Sequence, residues 1–170
     1  DLPIKEDYIN KGCGELENLQ YYSKEYVYNI KRKIVKELYY NYDGSPYVNE
    51  LGDSGIEFIY DKIGELIGLA SLGEDKERHR NVHGWAVRMW PVNSESESIE
   101  EYYDVDGISP IMVDEGFHKY IVRNKNNKVI REYHDKDGKI TNCKKGYAIE
   151  EGVFEIDNDI DIETITYFDA

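Results

Sequence analysis

No stretch of this sequence approaches the ~20 consecutive apolar residues that a membrane-spanning helix needs, and no signal peptide is visible. There is no Asn-x-Ser/Thr acceptor, so glycosylation gives no sign of secretion. Gly-x-Ser-x-Gly, P-loop and Rossmann fingerprints are all missing, and with them the usual sequence signs of a hydrolase, a nucleotide triphosphatase or a dinucleotide enzyme. Cysteine is scarce. Cys13 and Cys143 allow one disulfide at most, and they are too few for a structural metal site. Free thiols in a reducing, cytoplasmic compartment are expected. The chain opens on Asp1 rather than Met, which points to removal of an upstream segment and keeps a secreted or surface location, with the two cysteines bridged, as the alternative.

Basic residues are also short in supply: 21 Lys and Arg face 35 Asp and Glu, for a formal net charge of −14. Such a chain is poorly suited to neutralising nucleic-acid phosphates. It is better suited to meeting a basic partner, because complementary potentials speed encounter. Phe and Trp number only 4 and 2, whereas Tyr numbers 16, so tyrosine takes the core positions that other proteins give to phenylalanine.

At 170 residues the chain is long enough to bury a core without staples. It reads as one α+β domain with an irregular lead-in over 1–14, a helical part over 15–73 and an antiparallel sheet over 82–168. Leu16, Leu19, Tyr22, Tyr26, Ile30, Ile34 and Leu38 recur every three or four residues, which predicts a helix over 15–40. Ser54 and Glu57 have capping-box spacing, and Ile56, Ile59, Ile63, Leu66 and Ala70 extend a second predicted helix to residue 72. Ile30 and Ile63, mid-face in these helices, are expected core residues. After Gly73 the pattern changes to strands and turns: 82–92, 102–105, 108–113, 117–124, 128–134, 139–143, 148–156 and 160–168. Asn126-Asn127 and Asp137-Gly138 mark hairpin turns. No internal repeat at solenoid periods is found. Helices first and strands after give the expected architecture: two N-terminal helices packed on one face of a C-terminal antiparallel meander.

Several near-motifs fail on their neighbours. Asp135 to Ile140 has the centre of a calcium loop, but Tyr133 and Lys144 occupy positions where acids are required, so it reads as a hairpin turn. The alternating acids from Asp157 to Glu163 lack the glycine that bends such a loop and read as a solvated edge strand. His79 and His83 are four apart but lack the zinc-protease signature, and the pair His118 and His134 has no third ligand. No cofactor or metal is implied, and no residue is assigned a catalytic role.

Charge is segregated along the chain. Residues 93–118 hold eight acids and no base, residues 119–146 nine bases and three acids, and residues 147–170 eight acids and no base. Pairing of adjacent acidic and basic strands accounts for this, and so does an acidic surface formed where the two acidic stretches meet. The functional expectation is therefore a small acidic binding protein, not an enzyme, that neutralises a basic macromolecular partner. Immunity proteins of nuclease toxins and phage-encoded inhibitors are molecules of this type. Its contact residues would be Glu95, Glu97, Glu100, Glu101, Asp104 and Asp106 with Asp157, Asp159 and Asp161. Arg88 and Trp90 join them as an interface-type pair on the outer face of their strand. The alternatives are a secreted or cell-surface interaction domain and an enzyme whose site leaves no motif.

Overall fold

The structure, a computed structural model, describes the backbone of residues 2–7, 21–157 and 160–170, and the side chains of residues 21–154 and 164–170. No helix occurs among these residues. The chain divides into two compact units, Asp1–Val82 and His83–Ala170. The first contains β1 (Leu2–Asp7), β2 (Ser23–Tyr28), β3 (Ile34–Tyr40), β4 (Gly55–Tyr60) and β5 (Leu66–Leu72). The second contains β6 (Val87–Asn93), β7 (Glu97–Tyr103), β8 (Lys119–Lys125), β9 (Lys128–His134), β10 (Ile149–Asp157) and β11 (Ile160–Phe168). Within each unit, every strand pairs antiparallel with the next in sequence.

This overturns the expected α+β architecture. The antiparallel sheet is present, but the two helices are not: residues 23–40 and 55–72 form two hairpins, and residues 8–20 lie outside the described residues. The physical reason lies in the spacing itself. Tyr22, Tyr26, Ile30, Ile34 and Leu38 are four apart, and four is a multiple of the strand period as well as close to one helical turn. What separates the two readings is residue type. Tyr26-Val27-Tyr28 and Ile56 to Tyr60 are rich in aromatic and β-branched side chains that favour a pleated strand.

The hairpin tips confirm the correction. Asn29 accepts the amides of Lys31 and Lys33 at 2.9 and 3.1 Å, and Arg32 takes a φ of 61°. Asp61 accepts the amides of Gly64 and Glu65 at 2.6 and 2.8 Å, with Gly64 at a φ of 96°. Ile30 and Ile63 therefore sit at turn tips, 94% and 83% exposed, rather than in a core. Gly55 and Gly68 are strand residues, and a Cβ on Gly55 would fall 2.5 Å from the Glu37 carbonyl oxygen, so β3 and β4 close up there as only glycine permits.

A structural repeat does run through the chain. Isolated bridges join Tyr40 to Pro46, Leu72 to Arg78, Tyr103 to Pro110 and His134 to Ile140, their first members 31 or 32 residues apart. Each opens a loop with two turns. In the first turn, Asn41, Gly73, Asp104 and Asp135 each accept an amide from Gly44, Lys76, Gly107 and Gly138, respectively, all four donors having positive φ. The second turn is made by Gly52, Gly84, Gly116 and Gly146, again at positive φ. The expected strands over 108–113 and 139–143 fall inside these loops.

The loops also make the core. In the second unit Ile111, Val113, Phe117 and Cys143, all loop residues, bury against Tyr102, with Trp85, Tyr120, Tyr133 and Tyr147 packed around them. In the first unit the cluster is made at strand ends instead, by Leu38 and Tyr40 of β3 and Leu72 of β5. Away from the loops the strands are half-buried on both faces, as in β9, where all seven residues are intermediate. No helix or second sheet layer covers them among the described residues.

This placement of the core reverses the expected sensitivities. Leu38→Ala and Leu72→Ala should each cost about 2–5 kcal/mol. Ile30→Ala and Ile63→Ala should stay within about 0.5 kcal/mol of the parent. Urea midpoints of the four variants test this, and a large loss in either isoleucine variant would contradict the hairpin tips.

Candidate functional site

Antiparallel pairing of β6, β7 and β8 gathers three of the expected contact residues, Arg88, Trp90 and Glu100, into one patch, with Glu97 and Glu101 on the opposite face of β7. Arg88 lies opposite Tyr102 in the register. Its Nη2 donates to Glu100 Oε2 at 2.6 Å, and its guanidinium lies 5.4 Å from the centre of the Trp90 ring, within cation–π reach. Trp90 Nε1 donates to the same carboxylate oxygen at 3.4 Å, while the Tyr102 hydroxyl donates to Glu100 Oε1. Glu100 is thus held by three donors. Burial, with Glu100 beside it, pushes the Tyr102 phenol far above its ordinary value. Arg88 Nε is buried with no hydrogen-bond partner.

On the other face of β7, Glu101 accepts from Lys119 at 2.6 Å and from the Tyr103 hydroxyl at 2.6 Å. Burial alone would raise its carboxyl, but these donors outweigh burial and hold it below the usual range. Glu97 pairs with Arg123 at 2.9 Å, and Arg123 also reaches Glu132 at 2.6 Å. Burial likewise opposes ionisation of Glu132, and Arg123 and His134 overcome it. Arg131 pairs with Glu150, and Lys128 with Glu151 at 2.6 Å. The basic strands β8 and β9 therefore bind the acidic strands β7 and β10 on either side of them.

The remaining expected residues are dispersed. Glu95 lies in the turn between β6 and β7, where its carbonyl accepts from Asn124. Asp104 accepts the Val105 amide, and Asp106 accepts the amides of Ile108 and Ser109 and the Ser109 hydroxyl. Those bonds from Ser109 and Ile108 lower the Asp106 carboxyl, so its charge is used in shaping the loop. Asp157 and Asp161 belong to β10 and β11, with side chains outside the described residues, and Asp159 lies outside them entirely. Because β8 and β9 lie between β7 and β10, the two acidic stretches occupy separate parts of the sheet.

The end of the β10–β11 hairpin differs from the rest. Strand β9 pairs with β10 only as far as Val153, opposite Lys128. Beyond it, Phe154, Glu155, Ile156 and Asp157 pair with Glu163, Ile162, Asp161 and Ile160. No base stands opposite any of these acids in the register.

Three of the histidines contact neighbouring structural groups. His118 Nδ1 lies 3.2 Å from the Ile111 carbonyl, His134 Nδ1 3.2 Å from the Gly138 carbonyl, and His79 Nε2 3.1 Å from Asp53. No group of three His, Cys, Asp or Glu able to hold a metal ion occurs among the described residues. Cys143 carries a free, buried thiol in the core, and Cys13 lies outside the described residues. No helix of the described residues is long and apolar enough to cross a membrane.

Two features escaped the sequence reading. One is a groove of about 400 Å³ in the first unit, between its two hairpin tips. There Arg78 makes a bidentate pair with Glu57 at 2.7 and 3.0 Å, and the Lys33 amine lies over the Tyr60 ring at 5.1 Å. Its described lining combines the charged residues Lys31, Lys33, Glu57, Asp61 and Arg78 with Val35, Phe58 and Ile59. The other is a run of ring contacts in the second unit: Trp85, Tyr102, Phe117, Tyr133, Tyr147 and Tyr167, each within 6.2 Å of the next. The excess of tyrosine was the available signal, but alternate strands had to be placed side by side before it could be read as a row. Comparison with protein-family models, with curated proteins and with solved structures found no match.

The ionisable pairs fix the pH range of stability. Glu101 and Glu132 have lowered carboxyls, so their contribution is present above the unfolded value of ~4.3 and is lost as pH falls through their folded values. Burial raises Tyr39, Tyr102, Tyr120 and Tyr133, and also Tyr103, with Tyr103 and Tyr120 pushed up to about 12. Their contribution is complete below the unfolded tyrosine value of ~10 and is lost as pH rises through the folded values. Urea midpoints should therefore fall on the alkaline side of pH 10, in step with phenolate absorbance. A midpoint that holds constant to pH 12 would contradict the buried tyrosines.

Proposed function

We propose that this chain is a binding protein without a catalytic role, docking a basic macromolecular partner through the acidic end of its β10–β11 hairpin. The observation that supports this most directly is the contrast between the two acidic stretches. Glu97, Glu100 and Glu101 are each satisfied by Arg123, Arg88 or Lys119. Glu155, Asp157, Asp161 and Glu163 lie past the last pairing with β9 and stand opposite Ile162, Ile160, Ile156 and Phe154 in the register. Residues 83–170 carry 19 acids against 10 bases, so the field around this end is negative. A sheet built from repeats, each contacting its neighbours, provides an extended surface of the kind that repeat proteins use for macromolecular partners. The type of molecule remains the inhibitor or immunity protein, with partner recognition led by Asp157, Asp159 and Asp161.

The test uses defined basic probes, a lysine-rich peptide and a set of purified basic proteins, with association rates measured across a salt series. Neutralising Asp157, Asp159 and Asp161 to Asn should slow association about tenfold at low salt and flatten its salt dependence. Changing Glu97, Glu100 and Glu101 to Gln should lower stability and leave the association rate near the parent's. If the first variant keeps the parent's rate and salt slope, or if no probe associates with the parent, the reading is wrong.

A further inference from the structure

We propose that the two hairpin tips of the first unit, residues 29–33 and 61–65, form a docking surface for an anionic phospholipid bilayer, with Ile30 and Ile63 entering the headgroup layer and Lys31, Arg32 and Lys62 meeting its phosphates. The surface lies wholly within the first unit and is independent of the acidic hairpin of the second. The inference starts from the backbone of the turns. The Asn29 carbonyl accepts the Arg32 amide, and the Asn29 amide donates to the Lys33 carbonyl. The Asp61 carbonyl accepts the Gly64 amide, and the Asp61 amide donates to the Glu65 carbonyl. The two turns therefore have equivalent geometry. Their apex positions hold Ile30-Lys31 in one and Lys62-Ile63 in the other, so each apex joins one isoleucine to one lysine. Ile30 and Ile63 are 94% and 83% exposed, and Lys31, Arg32 and Lys62 are exposed beside them.

The tips are held side by side. The Lys33 amine donates to the Gly64 carbonyl and lies over the Tyr60 ring, tying the first turn to the second. The groove between them carries Lys31 and Lys33 beside Val35, Phe58 and Ile59, so cationic and apolar groups continue below the apexes. Among the described residues, no ion pair engages Lys31, Arg32 or Lys62. The acids nearby are largely occupied: Asp61 accepts the amides of Gly64 and Glu65, and Glu57 holds Arg78, which leaves Glu65 as the exposed acid of the two turns.

The combination selects the occupant. The described tips of the second unit are polar, Ser94-Glu95-Ser96 between β6 and β7 and Asn126-Asn127 between β8 and β9. Ile108 is exposed as well, but it follows Asp104 and Asp106 rather than bases. The apexes of the first unit protrude, so a protein partner would need a pocket for each, and two turns fall short of the about 800 Å² per side that a stable protein interface buries. A bilayer needs no pocket. Its interface yields to apolar side chains, and its headgroup phosphates attract each lysine and arginine near the surface. The net charge of −14 opposes approach from a distance. At physiological ionic strength a Debye length of about 8 Å confines that repulsion, and the charges of the tips dominate at contact.

Flotation of the full chain with vesicles of phosphatidylglycerol and phosphatidylcholine in equal parts, at physiological ionic strength, tests this. The parent should float with these vesicles and stay behind with vesicles of phosphatidylcholine alone. Ile30→Ala combined with Ile63→Ala, and separately Lys31→Gln combined with Lys62→Gln, should each lower the partition coefficient about tenfold. Neutralising Asp157, Asp159 and Asp161 to Asn should leave it at or above the parent's, which separates this surface from the acidic hairpin. The four tip residues lie outside the core, and urea midpoints equal to the parent's show that a lost partition is not unfolding. Three results would each overturn the proposal: a parent that does not float, tip variants that float as the parent does, or polyglutamate that binds the parent in solution with the same dependence on Ile30 and Ile63. The last would assign the tips to an acidic polypeptide.

Discussion

A strand covered on neither face has no core to draw on, so its stability must come from the strands beside it. That constraint governs most of this chain. Away from the loops, residues of β2, β4 and β9 are half-buried on both sides, and what holds them is pairing across the ladder. Arg123 bridges β7 and β9 from its place on β8, and Tyr120 lies against Tyr133 with ring centres 5.2 Å apart. Each such pair contributes only ~0.2–1 kcal/mol, and the sheet needs many of them. The loops supply what the strands lack, folding Ile111, Val113 and Phe117 into the one dense cluster of the second unit.

The same constraint explains how the charges are divided. Basic strands between acidic ones are the ion-pair equivalent of an apolar layer, and they make most carboxylates of β7 structural. The last described ion pairs of the ladder are those of Arg131 with Glu150 and Lys128 with Glu151, before the end of the longest hairpin. The turn carboxylates are also occupied: Asp43, Asp106 and Asp135 each accept backbone amides of their own turns. An acidic composition overstates the charge free to act, because caps and cross-strand pairs have claimed much of it.

How much of this the sequence disclosed depends on the segment. Strands β9 and β11 could be read to the residue, because Lys128 to His134 and Ile160 to Phe168 are bounded by turn residues and carry β-branched and aromatic side chains. The first unit was misread because a spacing of four serves helix and strand alike, and because Ile30 and Ile63 look like core residues until the turns beside them are recognised. The repeat was hidden for another reason. It is carried by backbone hydrogen bonds and positive φ angles, which glycine satisfies in three first turns and Lys76 in the fourth, so residue identity recurs at few positions. Arg88, Trp90 and Glu100 were each singled out from sequence, but their convergence was not legible, since it depends on the register of β6 against β7.

Lys76 shows what such a repeat tolerates. It holds a φ of 66° where its counterparts are glycines, and its amine lies 5.6 Å from the centre of the Tyr40 ring, a side-chain contact that glycine cannot make. Individual positions can therefore drift while the backbone plan persists. Chain length is constrained differently. Inserting one residue in a strand would turn every later side chain of that strand to the opposite face and break its ion pairs. Inserting or deleting a whole block of 31 or 32 residues exchanges one neighbour for an equivalent one and preserves the alternation. This architecture can accordingly lengthen or shorten in whole blocks, whereas a single insertion within a strand breaks its pairing.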